Sequence, residues 1–553
     1  MNQLPDQPNL SQLTKQAKDL LAGYRNGDPA AVSRLRDGLF AVVGKDNPEL
    51  TNLRLHEAQW CLAREYGFAT WADLQSFVAA RSESPADGTP SLLAWLRLAY
   101  AADIAGGESQ ARPLVAARIL AESHGLLGSD PYLACAIGEE AILRQASVSE
   151  PGWLKRPGGP LNLPPLVAVA HSSLLRLAGF RDRLHASARF LLQAGADPNQ
   201  AVGSRLAPAS LREPSALFPL SALYGAAGQN HDADLTKMLL DAGADPNDGE
   251  SLYHSLENLQ CTRHLLAAGA RIVGTNAFYR ALDLDNIDAL RLLLLYGADP
   301  NEPPSGPPTA DWGSPLLWAI RRRRSAAHIS ALLEAGADPS ARTPDGASAY
   351  TLARRFALPE VAGLLRRTDS PEHIADAERF IAACAEGDEA TAGCIKWRHP
   401  ELPAALSKTQ LRLLPELAAQ GCNAAVMLMV ELGWPIAIRG GDWNASALNH
   451  AVFRGDAELT RFLLQHGASW KEEHGYGDNV CGTLSWASCN APVAGGDWLG
   501  SAEALVAHGL PPAQADPQGS EGVIINGHRK RFSAEVTDVL LGPRRTLARS
   551  SQP

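Results

Sequence analysis

One short phrase constrains this chain more than anything else in it. Ala-Gly-Ala-Asp-Pro-Asn stands at Ala194–Asn199 and again at Ala242–Asn247, with close variants at Tyr296–Asn301 and Ala335–Ser340. Each copy comes after an apolar helical run: "ARFLLQ", "TKMLLD", "LRLLLL" and "ISALLE". Glycine in the next position can take the left-handed conformation that ends a helix, which costs a residue with a Cβ about 1 kcal/mol or more. Asp-Pro-Asn then turns the chain, because proline presets φ and the Asp and Asn side chains bond nearby backbone. The phrase is punctuation: it stops a helix and turns the chain sharply.

The stretch after each turn is equally regular. Ser314-Pro315-Leu316 puts a hydroxyl where it can cap a helix, with proline at the first helical position. Ser221-Ala222-Leu223, Ser348-Ala349-Tyr350 and Ser446-Ala447-Leu448 repeat that start, and each leads into a short Ala-containing helix. The unit is turn, short helix, loop, second helix, glycine stop. The stop glycines fall at 195, 243, 269, 297, 336, 433, 467 and 509, with gaps of 48, 26, 28, 39, 97, 34 and 42. The gap of 97 holds two units without that glycine, around "SAYTLARRFALPEVAGLLRR" and "RFIAACAEGDEATAGCIKW".

A two-helix repeat near 33 residues is the ankyrin pattern. The chain resembles the ankyrin-repeat family, whose T-P-L-H-x-A and G-A-D-x-N signatures match "SPLLWA" and "GADPN"; the longest match is "SALNHAVFRGDAELTRFLLQHGAS", Ser446–Ser469. "GTNAFYRALDLDNIDALRLLLLYGADPN" and "EEHGYGDNVCGTLSWAS" are similar to segments of a group of uncharacterised bacterial ankyrin-repeat proteins, and "QAKDLLAGYRNGD" resembles the helical leader of many of these. Where the family favours His in T-P-L-H, this chain has Tyr224, Tyr253, Tyr279, Leu317, Thr351, Asn449 and Ser485, which puts the usual hydrogen bond from that His between repeats in doubt. The resemblance implies an all-α ankyrin-repeat solenoid of about ten units, with hairpin tips and a helical N-terminal leader.

Composition is consistent with that expectation. With 45% hydrophobic and 20% charged residues the chain reads as an ordinary globular protein, and a net charge of −10 argues against a general nucleic-acid binder. The N-terminus lacks a secretory signal and no run of 18 apolar residues occurs, so a cytoplasmic protein away from the membrane is expected. The eight cysteines are scattered without a C-x-x-C pair and read as core residues in a reducing compartment.

Along the chain the spacing places a leader at 1–81, with Leu13, Ala17, Leu20, Leu21 and Tyr24 on one helical face. Thr70 with Asp73 offers a cap for a later helix of that leader. A Pro/Gly linker occupies 82–91 and a helical capping region with a degenerate first repeat occupies 92–160. Arrays come next at 161–370 and 371–515, and then a C-terminal cap and frayed tail at 516–553. Insertions near 203–215, 302–313 and 488–501 are expected to project from one face.

Arrays of this kind bind through turn tips and first helices. Trp312 and Trp443 fall at tips, where an exposed Trp is a typical anchor, and Arg321, Arg322, Arg355, Phe453 and Arg454 fall at the ends of first helices, where they could meet an acidic peptide. The bland alternatives are rings packed on the next turn and a solvated cationic face. Trp318 and Trp486 occupy equivalent places and are expected to pack between neighbouring helices. His450, His466, His474, Cys481 and Cys489 lack metal-ligand spacing, "HGYGDN" lacks the Lys and hydroxyl of a phosphate loop, and no catalytic motif occurs. The sequence therefore favours a monomeric, non-catalytic scaffold without cofactor or metal, holding a protein or peptide partner in a concave groove. The alternatives are a regulatory protein whose leader masks the groove and an enzyme with an unrecognised site.

Overall fold

The computed structural model describes residues 3–5, 8–43, 53–82, 91–107, 110–123, 125–304, 306, 309–366, 374–516 and 522–542. The linker at 82–91 lies almost wholly outside the described residues, and the tail Arg544–Pro553 lies entirely outside them. The chain divides into two compact units: residues 1–281 with 295–297, and residues 282–294 with 298–553. The described part is mostly helical, with a few strands of two or three residues.

In the first unit, helices α1 (Leu10–Arg25), α2 (Pro29–Val43), α3 (Leu55–Glu65) and α4 (Trp71–Ser82) open the chain. The α1 stripe of Leu13, Ala17, Leu20 and Leu21 is buried, and the Asp73 N–H donates to Thr70 Oγ1 at the start of α4. Helices α5 (Leu92–Ala99), α6 (Ala102–Ala105) and α7 (Pro113–Glu122) come next. The α7 guanidinium of Arg118 lies 4.1 Å from the Phe68 ring and 4.9 Å from Phe77, and Arg112 pairs with Asp73 at 3.1 Å, so α7 holds the opening helices.

Helix pairs then succeed one another. They are α8 (Pro131–Ile137) with α9 (Glu140–Ser149), α10 (Pro165–Ala170) with α11 (Ala178–Gln193), and α12 (Ala222–Tyr224) with α13 (Ala233–Asp241). Next come α14 (Ser251–His254) with α15 (Leu259–Ala267), and α16 (Ala277–Asp283) with α17 (Ile287–Leu295), which carry the chain into the second unit. There the pairs are α18 (Pro315–Arg321) with α19 (Ala326–Glu334), α20 (Ala349–Arg355) with α21 (Pro359–Leu365), and α22 (Asp376–Glu386) with α23 (Glu389–Arg398). Both units without the stop glycine are thus helix pairs. After α24 (Lys408–Leu411) come α25 (Leu413–Ala419) with α26 (Asn423–Glu431), α27 (Ala447–Arg454) with α28 (Ala457–Gln465), α29 (Val480–Asn490) with α30 (Trp498–Ala507), and finally α31 (Ala534–Leu541).

Three small antiparallel sheets decorate the turns. β1 (Ala201–Gly203) pairs with β2 (Pro219–Ser221), setting Ala201 opposite Ser221. β3 (Arg439–Gly440) pairs with β4 (Ala445–Ser446), and β5 (Gln514–Ala515), β6 (Val523–Ile525) and β7 (His528–Lys530) form a three-stranded sheet in that order.

The recurring phrase does what its residues predict. Gly195, Gly243, Gly336 and Gly467 have φ between +93° and +98°, with nothing within 4 Å of an added Cβ, so the dihedral and not crowding selects glycine. The next alanine donates its N–H back into the helix, Ala196 to Leu191 at 2.9 Å and Ala337 to Leu332 at 2.9 Å, which is the Schellman closure. Asp197 and Asp299 accept the N–H two residues on. The Asn has a further task. Asn199 Oδ1 accepts from the Asp245 N–H (2.8 Å) and its Nδ2 donates to Gly243 O (3.3 Å); Asn301 does the same toward Asp338 and Gly336. In these two copies the turn is bonded directly to the next one.

Three expectations need correction. Ser221, Ser348 and Ser446 cap their helices, but the Ser314 hydroxyl makes no cap bond although its backbone is extended like theirs. The bond between repeats is not lost where His is replaced by Asn449: its Nδ2 donates to Glu472 O (3.1 Å) and its Oδ1 accepts from Thr483 (2.7 Å). The insertion near 203–215 does not simply project. Arg205 is buried, and its guanidinium donates to the carbonyls of Ile104 and Leu161, so the insertion straps α6 to the helix pairs of its unit. Burial lowers the Arg205 pKa to about 10, against the pull of Asp103.

Candidate functional site

The cationic residues singled out in the sequence are largely turned inward. Arg321, at the end of α18, and Glu416, on α25, are each 2% exposed. Arg321 Nε and an Nη both donate to Glu416 Oε2, at 3.1 and 2.7 Å, and the other Nη lies 2.7 Å from Asp442 Oδ1 in the β3–β4 turn. Glu416 Oε1 accepts from the Gly441 N–H at 2.9 Å. Arg322 reaches Asp283 (2.8 Å) and Asp442 (2.7 Å) while lying 4.4 Å from the Trp318 ring. Burial opposes charge on Asp442, yet Arg321 and Arg322 outweigh it and hold that carboxyl below the usual range.

Arg355 repeats the pattern. It is buried, grips Glu378 with two bonds of 2.9 and 2.6 Å, and donates to Asp345 at 3.1 Å. Neither Arg321 nor Arg355 is open to an acidic peptide, because each guanidinium already serves carboxylates of this chain. α18 and α25 are held together across the Arg321–Glu416 pair, and Arg355 ties α20 to α22 and to the turn before α20. Trp312 joins the same closure: its half-buried ring meets Phe356 edge-on at 5.9 Å and carries Arg321 at 4.9 Å. Trp318 is buried as expected and donates from Nε1 to Asp283 at 3.0 Å.

The remaining residues come together elsewhere in the second unit. Trp443, in the β3–β4 turn, is half-buried between His450 (4.8 Å), His474 (5.1 Å) and Phe453 (5.7 Å). Phe453, on α27, stacks on Trp486 of α29 with centroids 5.5 Å apart and planes 7° from parallel. Trp486 was expected to pack away like Trp318, but it is 53% exposed: α29 starts after its cap Asn479, so Trp486 holds the place that Phe453 holds after Ser446, and not that of Trp318 after Ser314. Tyr476, at the adjoining turn, is 81% exposed, with its ring edge toward His474 at 6.0 Å. Trp443, Phe453 and Trp486 thus form one chain of ring contacts, and Tyr476 adjoins it through the buried His474.

The surroundings of these rings carry positive charge. Arg439 is half-buried beside Trp443 and donates to Asn444 O at 3.0 Å. Lys530, on β7, pairs with Asp478 at 2.6 Å, and Arg529 with a buried Asp516 at 3.0 Å. The Arg531 carbonyl accepts from Ser485 Oγ (2.6 Å), which fixes β7 beside Trp486. Arg454 points away, donating to Ala419 O at 3.4 Å, and has no carboxylate partner among the described residues. Beneath the rings His450 is buried with Nε2 3.3 Å from Gly440 O; burial pushes its pKa down to about 4, against Gly440 and Asp442.

The sequence reading missed Trp486 and Tyr476 as surface residues. The signal for Tyr476 was present, since a ring between Gly475 and Gly477 in a turn has no neighbouring side chains to cover it. In the first unit, exposed Leu217 and Phe218 on the β1–β2 hairpin were also missed. Among the described residues no group of three or more His, Cys, Asp or Glu could hold a metal ion, and no helix is long and apolar enough to cross a membrane.

Among solved structures, those similar to this chain are ankyrin repeat domains. The human ASB11 ankyrin repeat domain is 19% identical with a TM-score of 0.31, over 44% of this chain and 99% of that one. An ankyrin repeat domain from Acinetobacter baumannii AYE is 25% identical with a TM-score of 0.23, over 26% of this chain and 79% of that one. No family model matches, and no curated protein does. At these scores the likeness contributes nothing to the reading of the site, which rests on its geometry.

Proposed function

We propose that this chain is a non-catalytic interaction module, an ankyrin-type solenoid with a helical leader, that holds a protein or peptide partner on the aromatic surface of its second unit. The observation that carries this is the uncovered ring set: Trp486 at 53% and Tyr476 at 81% exposure, contiguous with Phe453 and Trp443. Folding normally buries rings of this size, and clustered exposed aromatics mark interfaces. Trp443 and Phe453 keep the role the sequence suggested, with Trp486 and Tyr476 added. Arg321, Arg322 and Trp312 serve the contact of α18 with α25 and the β3–β4 turn, Arg355 ties α20 to α22, and Arg454 lies outside the surface. The protein acts as a monomer in the cytoplasm.

Photo-crosslinking tests this in cells. A benzophenone amino acid replacing Tyr476 should trap a defined protein adduct, whereas the same group at the exposed outer-helix residue Trp397 should not. Equal, diffuse labelling from both positions would refute the assignment.

A further inference from the structure

The charge around the aromatic surface narrows what the partner is. In a chain of net charge −10, the strand beside Trp486 reads His528-Arg529-Lys530-Arg531, four residues without an acid. Arg529 is 55% exposed while its partner Asp516 is only 4% exposed, so the pair shows its cationic half to solvent. Arg439 adds a guanidinium that, among the described residues, donates to the Asn444 carbonyl beside Trp443, and His528 is exposed. Against these stand Glu473, which is exposed, and Asp478, which is held by Lys530. Burial holds the His474 pKa below its ordinary value against the nearby Asp478 carboxylate, with smaller contributions from Arg439 and Lys530.

We infer that the aromatic surface takes an extended acidic segment, one that lays a ring or a proline on the outer face of Trp486 and sets flanking carboxylates against Arg439 and the β7 cations. This rests on the interaction-module reading and specifies its partner. The stacked pair Phe453–Trp486 leaves no gap for a side chain between its rings, so the ligand group lies on the outer face of Trp486. A ring or proline matches that flat apolar face, and carboxylates match fork-shaped guanidinium donors. Long-range attraction speeds such an encounter, and stacking slows its release.

The test uses the full chain and three fluorescent probes in anisotropy titrations. They are a peptide rich in Asp and Glu around a central Pro-Trp, the same peptide with Lys and Arg in place of the acids, and an oligothymidylate. The acidic peptide should bind at least tenfold more tightly than the basic one, and more weakly as salt rises. Trp486→Ala should weaken it about 30-fold, the equivalent of about 2 kcal/mol. Arg439→Glu with Arg529→Glu should weaken it about tenfold and flatten the salt dependence, with circular dichroism unchanged in both variants. Equal or better binding of the basic peptide, binding of neither peptide, or tighter binding of the oligothymidylate would each overturn the acidic-segment inference. The crosslinking experiment is independent of this one: a protein adduct at Tyr476 with a basic contact sequence would keep the interaction module and reject this partner.

Discussion

The buried charge between α18 and α25 makes the sharpest prediction. Glu416→Gln keeps the side chain's volume and lets its amide oxygen go on accepting from Gly441, but it removes the carboxylate that faces two Arg321 donors. Arg321 is then left 2% exposed with Asp442 as its one acidic neighbour. Breaking a buried pair by removing one partner costs about 3–5 kcal/mol; because Asp442 remains, about 3 kcal/mol is expected here. Arg321→Met with Glu416→Met removes both charges together. It should cost less than the single change, with the orphaned Gly441 N–H contributing about 1–3 kcal/mol. An array of pairs does not have to unfold in one step, so a global melting curve is a poor readout. Hydrogen exchange monitored by mass spectrometry on peptides from α25 and the β3–β4 turn reads the local opening instead. For Glu416→Gln exchange there should rise about a hundredfold, at about 1.4 kcal/mol per factor of ten. A rise of less than tenfold, or a double variant as labile as the single one, would show that the closure does not depend on this pair.

Three further outcomes rest on named bonds and dihedrals. His450 is buried with a pKa of about 4, so between pH 6.5 and 4 the unfolded chain binds a proton that the folded site refuses. Stability therefore falls as pH falls through that window, and between pH 7.5 and 5 this residue accounts for roughly 2 kcal/mol, a share that His450→Gln should remove in exchange measurements at those two pH values. Asn301→Ala removes two bonds to the next copy of the turn, so protection of the Gly336–Ser340 segment should drop by about 1 kcal/mol, with α19 unaffected. Gly336→Ala meets open space but φ of +97°, and should destabilise that helix end by about 1–2 kcal/mol from backbone strain alone, visible as faster exchange at Ala337.

The parts of the fold that were legible in the sequence are those governed by one or two residues at a time. Glycine at a helix stop, Ser before an Ala-rich helix and the α1 stripe of Leu13, Ala17, Leu20 and Leu21 each arise from local sterics or periodicity. Where a side chain's partner lies far along the chain, local reading failed. Arg321 and Glu416 are 95 residues apart, and nothing near either names the other. A run of four arginines at Arg321–Arg324 reads as a solvated face, yet three meet carboxylates at Asp283, Asp285, Glu416 and Asp442, and Arg323 donates to Cys422 Sγ. Trp318 and Trp486 look equivalent in the sequence, yet Trp318 lies four residues after its cap Ser314 and Trp486 seven after its cap Asn479, so helix register buries one ring and exposes the other.

That contrast decides which residues can supply binding energy. A guanidinium already committed to buried carboxylates would have to leave them before meeting a partner, giving up several kcal/mol to recover less at an exposed surface. The arginines of α18 and α20 are in that position, so they contribute rigidity to the second unit and little to recognition. Trp486 is in the opposite position: one face is already ordered by Phe453, and the other is in water. A partner that covers it gains apolar burial without first freezing a mobile side chain, which is the circumstance in which a single ring contributes most. Loss of Phe453 should therefore weaken binding through Trp486 even if the partner never touches Phe453. Phe453→Leu, which keeps bulk but removes the stacked plane, should cost part of the Trp486 effect and nothing further in the Trp486→Ala background. Additive losses in the two would show instead that Phe453 meets the partner directly.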